Sequence, residues 1–265
     1  MMLRISSAAP TALRTTFLGS LGLGLFLGVW VVAAMFSNTA ALLPPPWEVA
    51  ERFVTLQAHP FAGNTLFGHL ASSMYRFAIA YGLALLVGIP LGLMMGWFKA
   101  VDRVVSPMFN ALRFIAPIAW VPFAVLWFGT GIGGPVLVIF AGAFPPCLLS
   151  AYRGARLIPT PLLEAARMLG TPSWRVLTQV LLPASVPSLV AGMRVAAGTA
   201  WQSLIGAELI VVSSGIGYLM VQGQSQISTV TVMSGMIAIG LVGVVIDIVL
   251  KKLETRVKSR RGMDA

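Results

Sequence analysis

The chain carries Glu164-Ala165-Ala166-Arg167-Met168-Leu169-Gly170, then nine residues, then Val180-Leu181-Leu182-Pro183. This polar stretch lies between two long apolar runs, and its local chemistry is that of a built loop. Thr160-Pro161 reads as a helix start, with Thr as N-cap and Pro at the first helical position, where a missing N–H costs nothing. Glu164 falls in the first turn, where the helix dipole favours a negative charge. Ala165 and Ala166 keep one face small, and Gly170 suits a left-handed helix end. Thr171-Pro172 repeats the starting device, so the spacing predicts a second short helix before Leu182-Pro183 leads into the next apolar run. A structured loop of this length, in a chain otherwise almost entirely apolar, is built to touch something.

Composition sets the class. Apolar residues make up 57% and charged residues 10% of the chain, against about 25% charged in soluble domains. The natural solvent for such a chain is a bilayer. The net charge of +10 comes from basic residues that flank apolar runs, which argues against a nucleic-acid partner. The single cysteine, Cys147, sits in an apolar segment and excludes an internal disulfide. His59 and His69 lack the neighbouring Cys or acidic cluster of a metal site.

Six spans are expected, at about 16–37, 70–96, 107–128, 132–151, 183–207 and 229–250, each close to the ~20 residues that cross the hydrocarbon core. The first apolar run exceeds the usual 7–15 residues of a signal peptide and reads as a retained helix. With the N-terminus in the cytoplasm, Arg4, Arg14, Lys99, Arg103, Arg153, Arg156, Arg167, Arg175 and the tail Lys251, Lys252, Arg256, Lys258, Arg260 and Arg261 all lie inside, and Arg52 alone lies in an external loop. This asymmetry predicts that both termini are cytoplasmic, with the basic tail against anionic lipid headgroups or serving as a plain stop signal. Pro46 and Trp47 begin a short interfacial helix outside. Gly24 and Gly28 in the first span, and Gly88, Gly92 and Gly96 in the second, have the spacing of close helix packing, within or between chains. Pro90, Pro117 and Pro122 are expected kinks.

Glu164-Ala165-Ala166, Gly170 and Val180-x-Leu182-Pro183 together resemble the EAA loop of ABC importer permeases, departing from the family pattern only in Val180 for Ile. The resemblance covers about residues 44–256. Leu43-Pro44-Pro45-Pro46-Trp47-Glu48, Gly88-Ile89-Pro90-Leu91-Gly92, Leu126-Trp127-Phe128-Gly129 and Gly192-Met193-Arg194-Val195-Ala196 look like the nitrate, sulfonate, taurine and bicarbonate importer permeases. It implies an all-α membrane fold of the type I importer (MetI-like) class in a bacterial inner membrane. Residues 1–69 would hold the N-terminal segment, first span and external loop, 70–254 the transmembrane domain, and 255–265 the tail. The loop at about 158–183 would be a cytoplasmic coupling helix, with Glu164, Ala165, Ala166, Gly170, Leu182 and Pro183 touching an ATPase. The implied partners are two ABC ATPase subunits, a second permease copy or a related permease, and a periplasmic or lipid-anchored solute-binding protein. ATP and Mg would be held by the ATPase, and no cofactor by this chain.

The chain contains no GxxxxGK[ST] phosphate loop, since none of Lys99, Lys251, Lys252 or Lys258 follows a glycine. It also contains neither HExxH nor GxSxG, so a membrane-embedded enzyme has no catalytic constellation. A secondary transporter or channel is the alternative; that class more often shows carboxylates or broken helices at mid-membrane, with internal repeats, and this sequence shows neither clearly. Ionisable residues within spans mark candidate pathways. Arg76 and Glu208 both lie towards the outside and are expected to pair. Asp247 has Lys251 one turn away. Arg194 lies near the bilayer middle and Arg113 less deep. Either raises the potential for an anionic substrate or is a paired or snorkelling arginine. Asn110, Trp201, Gln202 and Ser203 are the polar and aromatic candidates for lining the path. Residues 213–226 read as an external loop or short re-entrant helix.

Overall fold

A computed structural model describes residues 8–36, 43–129, 131–158 and 160–259. Thr65 begins the central architecture by capping a long helix, its hydroxyl accepting from the Gly68 N–H at 3.2 Å. In chain order the helices are α1 (Ala8–Phe36), α2 (Pro46–Ala58), α3 (Leu66–Trp97), α4 (Lys99–Leu112), α5 (Val121–Phe128), α6 (Gly133–Arg156), α7 (Thr160–Met168), α8 (Ser173–Arg175), α9 (Leu182–Glu208), α10 (Ile216–Ser225) and α11 (Thr229–Ser259). Among the described residues, five helical stretches are long and apolar enough to cross a membrane: Phe17–Phe36, Leu66–Trp97, Gly133–Arg156, Ser173–Glu208 and Thr229–Ser259. The expected domain boundaries at 69/70 and 254/255 fall inside α3 and α11.

The expected span at 107–128 is not one helix. Its chain forms α4, a break, a 3-10 turn at Pro117–Trp120 and α5, and the two parts meet at 90°. Pro117 explains the break: Ala116 before it adopts an extended ψ of 138°, because a residue preceding proline is pushed out of the α region. Pro122 lies in the first turn of α5 and needs no kink. Pro90 lies inside α3, which stays helical through it. Such a broken helix is the feature that was expected to favour a secondary transporter, so that criterion does not separate the two classes here.

The centre is a three-helix pack of α3, α6 and α9. Small residues let these backbones approach: a Cβ built on Gly92 would collide with the Leu148 carbonyl and the Ala151 methyl. The core between them contains Phe77, Ala80, Ala84, Ile139, Ala143, Cys147, Ala196, Ala197, Ala200, Trp201 and Leu204. The Gly88, Gly92 and Gly96 spacing therefore serves packing within the chain. No atom lies within 4 Å of a Cβ built on Gly24 or Gly28. The spanning part of α1 is not buried against the rest of the chain; one tie to it is Trp30 Nε1 donating to the Pro44 carbonyl at 3.2 Å. Before α3, α2 starts with Pro46 at its first turn and packs along α11, with Arg52 Nε donating to Thr231 Oγ1 at 3.1 Å.

Candidate coupling helix and transport pathway

Leu169 N–H donates to the Ala165 carbonyl and Thr171 N–H to the Ala166 carbonyl, both at 3.1 Å. Gly170 between them has φ of +68°. The bond spanning six residues, with a left-handed glycine inside it, is a Schellman ending, and it closes α7 where Gly170 was expected to. The following segment departs from expectation in two ways. Pro172, with no capping side chain, occupies the cap of α8, so Thr171 serves the preceding helix end through its backbone. The second helix is also not a short one. From Ser173 it continues through a π turn at Val176–Leu181 into α9, one helical stretch to Glu208. The π turn lies just ahead of Pro183, whose missing N–H removes one helical bond. Leu182 and Pro183 thus belong to the span, away from α7.

Glu164 and Ala165 are exposed on α7 and Ala166 is half-buried. Sequence reading missed the apolar side chains beside them. Met168 is 88% exposed, Leu169 84% and Trp174 62%, and Arg175 lies 5.4 Å over the Trp174 ring. The signal was there: two large apolar residues immediately before the turn glycine of a polar loop. At the same end Arg156 pairs with Asp102 at 2.9 Å, and Tyr152 Oη donates to Asp102 at 3.2 Å, tying α4 to α6.

At the opposite end Arg76 Nη1 lies 2.9 Å from Glu208 Oε1, and Glu208 is 1% exposed. The carboxylate also accepts from Ser73 Oγ at 2.8 Å and from the Gly217 N–H at 3.1 Å. Ile216 N–H donates to Ser73 Oγ, Gly215 N–H to His69 Nδ1, and Arg76 also reaches Ser214. The pair is thus the centre of a satisfied network that pins the α9–α10 loop to α3 and caps α10. Residues 216–225 of the expected external segment form that helix.

The break between α4 and α5 creates an opening of about 400 Å³ lined by Arg113, Thr199, Gln202 and Ser203 together with apolar side chains of the break and of α6. Phe109 of α4 meets Phe144 at 6.4 Å between ring centroids. Arg113 faces the same opening as Ala141 and Pro145, near the middle of α6. Arg113 is exposed and lies level with the middle of α6. A charge at the centre of a span costs about 2.5–3.5 kcal/mol on insertion scales; Arg113 instead opens onto this polar-lined space. Thr199 was missed, although it shares one α9 face with Gln202, Ser203 and Gly206 at helical spacing.

Three sequence candidates lie elsewhere. Trp201 is a core pillar, edge-on to Phe77 at 5.7 Å with Nε1 donating to the Ile239 carbonyl at 3.2 Å. Asn110 is exposed on α4 and does not line the opening. Arg194 faces α11, where Asp247 holds it with two bonds at 2.7 and 3.0 Å and Glu254 lies at 3.4 Å. Asp247 thus hydrogen-bonds Arg194, where Lys251 had been its expected partner. Glu254 also binds Lys258 at 2.7 Å. Among the described residues no group of three His, Cys, Asp or Glu side chains is placed to hold a metal.

A family model described as "Binding-protein-dependent transport system inner membrane component" matches residues 88–259. A putative ABC transporter permease of Methanocaldococcus jannaschii is 36% identical over 233 residues, covering 86% of each chain. The taurine transport system permease protein of Escherichia coli K12 is 32% identical over 234 residues, 88% of this chain and 85% of that one. Among solved structures, an inward-facing methionine ABC transporter, MetNI, superposes with a TM-score of 0.65 at 20% identity, over 72% of this chain and 95% of that one.

Proposed function

Since this chain belongs to the family of inner membrane components of binding-protein-dependent transport systems, we propose the following division of labour for it. The chain is the multi-pass permease subunit of an ATP-driven importer. It moves a small anion or organic solute of the nitrate, sulfonate or taurine kind across the cytoplasmic membrane by alternating access. Two copies form the path, and two separate ABC ATPase subunits bind ATP and Mg. A periplasmic or lipid-anchored binding protein delivers the solute. Both chain termini face the cytoplasm. Glu164, Ala165, Ala166 and Gly170 meet the ATPase, with Leu182 and Pro183 leading that motion into α9. The opening at Arg113, Gln202 and Ser203 lies on the path.

The observation that carries this reading is α7 itself. It is a nine-residue helix closed by a left-handed glycine and crowned by exposed Met168 and Leu169. Apolar side chains that large, on a polar loop outside the membrane, gain most by entering a groove of a partner. ATPase closure would then push α7, and the helical stretch Ser173–Glu208 passes the push into the bundle.

Affinity purification in mild detergent tests this. A P-loop ATPase should co-purify with the wild-type chain and be lost from a Met168→Asp/Leu169→Asp variant that still elutes as folded protein. A chain that purifies without any ATPase and transports without ATP would contradict the reading.

A further inference from the structure

Three arginines lie in the interior of the apolar helices or at their break, away from the basic helix ends. Arg76 is neutralised by Glu208, and Arg194 by Asp247 and Glu254. Arg113 has no carboxylate partner among the described residues; its guanidinium rests 4.8 Å from the Phe114 ring centre and 5.9 Å from that of Phe109. Aromatic faces steady a cation without cancelling its charge. An uncompensated charge among apolar helices faces a hydrated cavity or a counter-charge brought by something else, and Arg113 lines the opening between α6, α9 and the break.

Its lining has one sign. Arg113 and the amide of Gln202 are the donors. Thr199 and Ser203 turn their hydroxyls to helix carbonyls, at 3.0 Å to Ala196 and 2.8 Å to Thr199. No Asp or Glu lines the opening, and the nearest acidic residues of α11 are engaged with Arg194 and Lys258 on a different face. Ile115 and Ile118 offer apolar wall. We propose that this opening is an anion subsite for a small monoanion with a short aliphatic body or none, and that it disfavours a zwitterion, whose ammonium group would meet no negative charge there. The proposal rests on the permease reading and narrows it. A second copy would add another Arg113 and no carboxylate from its own opening.

The test uses the purified transporter with its ATPase, in a Cys147→Ala background with Ile118→Cys as the only thiol of this chain. The labelling rates of 2-sulfonatoethyl methanethiosulfonate and its trimethylammonium analogue are compared by mass. Arg113→Gln should lower the anion-to-cation rate ratio by about tenfold or more, as expected for removing one nearby charge at intermediate dielectric, and Arg113→Lys should retain it. Ethanesulfonate should slow the anionic labelling, and 2-aminoethanesulfonate at the same concentration should not. An unchanged ratio in Arg113→Gln, an unreactive Ile118→Cys, or equal protection by both sulfonates would overturn the subsite. Retention of the ATPase in the same sample separates that failure from failure of the importer reading.

Discussion

Gly170 and Glu208 show what single residues contribute. At Gly170 a Cβ has open space around it, so the cost of replacing it is conformational: φ of +68° is left-handed, at about 1–2 kcal/mol for an L side chain. Gly170→Val should therefore leave the membrane bundle folded and loosen the end of α7, lowering ATPase co-purification while thermal stability in detergent stays near wild type. Glu208→Gln should behave in the opposite way. It leaves Arg76 buried without its counter-charge, which costs about 3–5 kcal/mol in comparable buried pairs, and a thermal melt in detergent should fall accordingly. Both residues were legible in the sequence, one as a turn glycine, the other as an acid in an apolar run with a basic residue at matching depth. The rest of the Glu208 network was not legible, because Gly215, Ile216 and Gly217 enter through the backbone N–H groups that open α10. Arg194 illustrates the same limit. Its partner Asp247 lies on another helix, and the register between α9 and α11 follows from packing, with no local spacing to announce it.

At the scale of elements, two helices carry the contrast between pattern and outcome. The glycines of α3 announced close packing, and Gly92 meets α6 so tightly that any side chain would wedge the pair apart. Gly92→Leu should abolish the monodisperse peak in size-exclusion chromatography, whereas Gly28→Leu on α1, with open space around it, should preserve it. The third expected span carried a proline signal that implied bending, but a proline says where a helix yields and not by how much. The 90° turn depends on α4 staying with α6 through the Asp102, Tyr152 and Arg156 contacts while α5 packs Val121 and Ala124 against Val138, Ala207 and Val211. That turn brings Arg113 to Gln202 and Ser203. Periodicity along one helix could group Thr199 with Gln202, but no linear pattern could bring Arg113 to them.

For the whole molecule, the charge asymmetry and the position of α7 agree on two distinct ends. Lys99, Arg103, Arg153, Arg156 and Arg175 share the side on which α7 lies, and Arg52 lies on the other. A fluorescent reporter fused after the C-terminus should mature in the cytoplasm, and an oxidation-dependent reporter inserted in the loop between α2 and α3 should be active only outside. Five of the six expected spans and the loop motif could be read from sequence because hydropathy and spacing are local, whereas the sixth is a pair of helices broken at 90°. That the spanning part of α1 is not buried against its own chain had no local sign in the sequence. The most direct measurement of the central claim is solute uptake by liposomes containing this chain, its ATPase and its binding protein, with ATP supplied on the α7 side. The account predicts uptake that requires ATP hydrolysis and is lost in Met168→Asp/Leu169→Asp. Uptake that proceeds without ATP, or that survives the double variant undiminished, would contradict it.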